Sequence, residues 1–199
     1  MTPNLPTTAY VPAPKMASTA VCAALGVTHE HVRAVDIGSP CWGTIRGPRE
    51  WYRSWYGHVT RWGGSGNERC EKALDGLGRG DRSYASVLWG LTHLDEIDRG
   101  CLPASDHLFA PGGLVAEGRG WGRGWKHRGL WSASVDWFFR GHGRWVVEEL
   151  IHVRELEGRG VEWANVGKGL PQKHGNLEDL GSSDLWMLCE VGIRFGVRW

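Results

Sequence analysis

Residues 119–128 read RGWGRGWKHR, so Arg119, Arg123, Lys126 and Arg128 alternate with Trp121 and Trp125 across three glycines, and Trp131 follows closely. Arginine pairs with phosphate and lies flat on a ring, and tryptophan stacks on an unpaired base at ~1–3 kcal/mol per base. This is the chemistry of weak, sequence-tolerant binding to single-stranded RNA or DNA. The segment matches no RNP or KH signature. The same coincidence of charge and rings extends outward. Residues 111–145 hold five Arg and Lys126 against Glu117 and Asp136, with Trp121, Trp125, Trp131, Trp137 and Trp145 among them. Residues 42–62 hold four Arg and one Glu beside Trp42, Trp51, Tyr52, Trp55, Tyr56 and Trp62. In the latter stretch the helical spacing of Trp51, Trp55 and Trp62 points to a core rather than a binding face.

Other chemistry is thinner. Tryptophan platforms also stack on sugars, and a carbohydrate-binding module is the alternative. Its hydroxyl-gripping amides and carboxylates are scarce here, Asn67 and Glu117 being the nearest candidates. In LGVTHEHV, His29 and His31 lie two apart, so on a strand both rings face one side and could share a metal. No later set of ligands accompanies them, and the sequence alone assigns no metal and no cofactor. The acids of HLDEID (93–98) follow a glycine loop, GGSGNER, that lacks the Lys-Ser/Thr of a nucleotide-binding loop. The remaining histidines are scattered, with no HExxH and no GxSxG. With no complete catalytic constellation, the chain reads as non-enzymatic.

These groups need elements to hold them. Residues 83–98 carry Tyr84, Val87, Leu88, Leu91 and Leu94 on one helical face, with Ser83 as cap and Gly100 and Pro103 beyond the end. The pattern predicts a second helix at Glu68–Leu77, capped by Asn67. A third is expected over 49–62, entered through Pro48 and closed by Gly63, though Gly57, Val59 and Thr60 weaken it. Beyond residue 130 the period changes to two. Apolar positions alternate in Trp131–Arg140, and again from Leu185 through Met187, Cys189, Val191, Ile193, Phe195 and Val197 to Trp199. Both segments predict strands. Arg144–Glu157 leans towards helix, although its flanking RGHGR and EGRG turns would equally suit hairpins.

The expectation is an α+β chain with a helical N-terminal half, a strand-richer C-terminal half and a partly disordered N-terminus. It divides into an arm (1–28), a helical region (29–110), a Gly/Arg/Trp-rich joint (111–130) and a strand-rich region (131–199). The arm holds four prolines, one Lys and no acid, and reads as flexible or as a plastid-type leader. No run reaches ~18 apolar residues, so no membrane span is expected. Five cysteines without a close pair predict reduced thiols in an intracellular, cytoplasmic or nuclear protein. Thirty Gly, 13 Trp and 18 Arg against 5 Lys and one Gln also suit a G-rich coding strand. A young or spurious reading frame of that kind would leave its tryptophans wet.

Overall fold

The computed structural model describes residues 3–38, 40–63, 68–94, 129–162 and 180–199. It is a mixed α+β fold around a three-stranded parallel sheet. The order is β1 (Ala9–Val11), β2 (Cys41–Ile45), β5 (Glu149–His152), in register through Ala9↔Cys41 and Trp42↔Glu149. The short continuous run CWGTI is buried throughout, as a central parallel strand with both faces covered requires. Its alternation divides the core. Cys41 and Ile45 face a large cluster with Trp51, Trp55 and Phe139, whereas Trp42 joins Val21, Ile151, Val153 and Leu156. Gly43 lies under Phe139, whose ring an added Cβ would meet at 2.5 Å.

Three helices follow β2 and precede residue 95: α3 (Pro48–Gly63), α4 (Glu68–Leu77) and α5 (Tyr84–Thr92). Pro48 opens α3, and Trp51, Tyr52, Trp55 and Val59 form its buried stripe. Cys70, Ala73, Leu74 and Leu77 do the same for α4. Ser83 caps α5 by accepting from the Ser86 N–H at 3.4 Å. The helix stops at Thr92, short of the expected 98. Leu94 is buried beyond it, and residues 95–100 lie outside the described residues, as does the expected cap Asn67.

The N-terminal run packs onto the fold from Val11 onward. Val11, Ala13 and Met16 sit in the large core, α1 (Ser18–Leu25) covers the smaller one, and α2 (Ala34–Ile37) follows. Indole donors hold this run down: Trp42 Nε1 to Thr8 O at 3.1 Å and Trp51 Nε1 to Pro14 O at 3.0 Å. A three-residue edge strand tolerates the prolines that follow it.

The C-terminal half keeps some strands, though not where the alternation places them. Trp131–Arg140 is helical as α6 (Leu130–Phe139), and most of 185–199 belongs to α7 (Ser182–Phe195). The helix expected over 144–157 is replaced by β4 (Arg144–Trp145), β5 and two short 3-10 helices, Val153–Glu155 and Glu157–Arg159. β4 pairs antiparallel with β3 (Arg140–Gly141). Their connection, His142–Gly143, has positive φ at both residues (50° and 76°), the backbone that two-residue hairpins favour. No described helix is long and apolar enough to cross a membrane.

Candidate nucleic-acid interface

Of the seven residues proposed to contact nucleic acid, Arg119, Trp121, Arg123, Trp125, Lys126 and Arg128 lie outside the described residues. Trp131 lies within them and is fully buried. Its indole Nε1–H donates to Arg46 O at 2.9 Å, so it offers no face to a base. Trp131 is therefore an anchor in the core and is removed from the candidate interface.

The anchor is a polar node built from two helix starts. Gly129, Trp131 and Ser132 open α6, and Ser183 and Asp184 open α7. Gly129 N–H donates to Ser183 Oγ at 3.2 Å, Trp131 N–H to Tyr52 Oη at 3.0 Å, and Ser132 N–H to Asp184 Oδ1 at 3.0 Å. Tyr52 Oη donates to Asp184 Oδ2 at 2.6 Å. One buried carboxylate thus lies at the starts of both helices and takes one of the N–H groups that the α6 backbone leaves open. Burial, then the Asp184 charge and hydrogen bond, push the Tyr52 phenol well above its ordinary pKa. An added Cβ at Gly129 would collide with the Asp184 carboxylate.

Several described arginines lie against tryptophan rings inside the fold. Arg33 lies 3.9 Å from the Trp137 ring centroid and Arg79 4.0 Å from that of Trp89. Arg140 lies 5.1 Å from Trp145 and also pairs with Asp136 at 3.3 Å and Glu190 at 3.4 Å. Such contacts stabilise by ~0.5–1 kcal/mol at exposed sites. Trp42, Trp51, Tyr52 and Trp55 are buried, as the helical spacing of the α3 tryptophans requires.

Sequence reading missed a second cluster, at the carboxyl ends of the parallel strands, where α/β folds place ligands. Buried Arg46 follows β2, buried His152 ends β5, and Glu50 of α3 pairs with Arg154. Arg154 N–H donates to His152 Nδ1 at 3.3 Å, which occupies that lone pair and leaves the neutral ring's proton on Nε2. Burial holds the His152 pKa below its ordinary value; Arg154 and Arg46 act the same way, against Glu50 and Glu155. The C-terminal Trp199 stands edge-on to His152 (5.6 Å) and Trp131 (6.0 Å). It closes over Gly47, whose added Cβ would lie 3.4 Å from its ring. The cluster ties Trp199 to the sheet and, among the described residues, presents no nucleophile. Its signal in the sequence was the short run CWGTI between Pro40 and Arg46.

Among the described residues no group of three or more His, Cys, Asp or Glu side chains could hold a metal ion. No protein-family model, no curated protein and no solved structure matches the chain.

Proposed function

We propose that the chain is a binding protein that takes single-stranded nucleic acid, weakly and with little sequence preference, through Arg119, Trp121, Arg123, Trp125, Lys126 and Arg128. The observation that carries this reading is compositional: ten consecutive residues, 119–128, hold four of these cations and two tryptophans and no acid. The described guanidinium–indole pairs set a contrast, since Arg140 has Asp136 and Glu190 beside it. Gly129, which follows the segment in the sequence, belongs to the buried node.

Fluorescence anisotropy with a labelled oligouridylate at several salt concentrations tests the proposal. Four phosphate contacts on a single strand give a log–log salt slope of about −3, and replacing Arg119, Arg123 and Arg128 by Ala brings it to about −0.7. Replacing Trp121 and Trp125 by Ala weakens binding by ~1–3 kcal/mol per base stacked, with the slope little changed. If neither set of changes alters binding, the segment is not the interface.

A further inference from the structure

Residues 196–199 double back from α7 over the carboxyl ends of the parallel strands. Gly196 ends the helix in the left-handed conformation (φ 68°), which turns the chain, and Val197 returns to the large core. Trp199 then lies along α7. Its Nε1–H donates to Leu188 O at 3.0 Å, and Gly192 leaves room for the indole, since an added Cβ there would meet Nε1 at 3.4 Å. The same ring meets Trp131 and His152 edge-on. The indole stays exposed, so its seat depends on this hydrogen bond and these ring contacts.

His152 fits this seat as the neutral imidazole. Its ring is buried, and its Nδ1 accepts the Arg154 N–H at 3.3 Å, which caps the 3-10 turn Val153–Glu155. A protonated ring carries a hydrogen on both nitrogens, so Nδ1 would turn a hydrogen towards the Arg154 N–H and the cap would be lost. The charges around the ring are mixed. Arg46 beyond β2 and Arg154 of the turn oppose a positive ring, whereas Glu50 of α3 and Glu155 of the turn favour one. Residues 196–199 add the exposed Arg198, and α6 adds only the uncharged Trp131 against the same indole. Burial is the largest effect, so the docked ring takes a proton less readily than one in water.

We propose that residues 196–199 are a pH-dependent latch, seated across the strand ends by neutral His152 and released when that ring takes a proton at Nδ1. The sign follows from the two states. With the latch open and the ring in water, His152 titrates near the ordinary value of about 6.5, and with the latch seated it titrates lower. Seating is therefore at full strength above about pH 6.5 and weakens as the pH falls below it. Release uncovers Gly47, just beyond the carboxyl end of β2, at the end of the sheet where α/β folds place ligands.

The test follows the Trp199 indole N–H of the full chain by ¹⁵N NMR between about pH 7.5 and about pH 5, with Trp199→Phe assigning the signal. On acidification it should move towards the position of a solvent-exposed indole, while the signal of the buried Trp51 stays in place. The His152 ring signals should titrate with the same midpoint, a comparison that needs no variant. His152→Gln, which takes no proton, should hold the Trp199 signal at its neutral-pH position, and His142→Asn should leave the transition as it is. Glu50→Gln should move the midpoint to lower pH and Arg154→Gln to higher pH, each by several tenths of a unit. A purely structural role for His152 would not produce opposite shifts. A Trp199 signal that stays in place down to about pH 5, or one that moves with a midpoint unrelated to His152, overturns the latch. So does a His152→Gln chain that is folded by circular dichroism and still opens with acid.

Discussion

At the scale of single residues, Asp184 holds together the buried polar node at the starts of α6 and α7. Its two oxygens take a backbone N–H from α6 and the Tyr52 hydroxyl, and that hydroxyl in turn takes the Trp131 N–H. Removing one member of such a network leaves others unsatisfied in a dry environment, which costs more than the bond itself contributes. Tyr52→Phe orphans the Trp131 N–H and withdraws a donor from Asp184. The expected loss is about 1–3 kcal/mol, read as a lower urea midpoint with an unchanged m value. Gly129→Ala should cost a similar amount, since its methyl group meets the same carboxylate. An unchanged midpoint in Tyr52→Phe would mean that water or a neighbour replaces the phenol. None of this was legible from sequence, because Tyr52, Gly129 and Asp184 are far apart in the chain and share no motif.

At the scale of elements, legibility followed the length and capping of each segment. Pro48 before an aromatic stripe and Ser83 before Val87, Leu88 and Leu91 are local signals, and the helices they predict are present. The alternating segments misled for two distinct reasons. In α6, Ser132 and Ser134 are buried with the apolar residues, and Ser132 Oγ donates to Gly129 O at 3.0 Å. A serine that satisfies itself on nearby backbone need not mark a wet face. In α7 two periods coexist. Asp184, Met187, Leu188, Val191 and Phe195 make the inward stripe, while Leu185, Cys189 and Ile193 of the alternating set face outward. Strand periodicity would place Val191 and Ile193 on one face, whereas the helix separates them, with Ile193 87% exposed and Val191 fully buried. Ile193→Lys should therefore change stability by no more than about 0.5 kcal/mol. Val191→Lys buries a charge and should abolish or severely lower the folding transition. Equal damage from the two, by thermal melts, would return the segment to a strand. The strands of the parallel sheet escaped notice because they span only three to five residues, and β2, buried on both faces, shows no polar/apolar alternation in its sequence.

At the scale of the whole molecule, one core draws on segments that the sequence divides. The large cluster contains Val11 and Met16 from the N-terminal run, Trp51 and Leu91 from the central helices, and Phe139, Val191 and Val197 from the C-terminal half. Trp42, Trp51, Trp55 and Trp131 are buried, whereas Trp186 and Trp199 are exposed. The full chain should then show blue-shifted tryptophan emission and a single sigmoidal urea transition. Truncation tests the integration more severely. Deleting residues 1–17 removes β1 and the buried Val11, Ala13 and Met16, and it exposes the edge of β2. Each large apolar side chain fully buried stabilises by ~1.5–3 kcal/mol, and a domain holds only ~5–15 kcal/mol in reserve. The truncated chain should lose the sigmoidal transition and emit further to the red in buffer. A truncated chain that unfolds at the same urea concentration as the full one would make residues 1–17 the loose arm their prolines suggest, and β2 the true edge of the sheet.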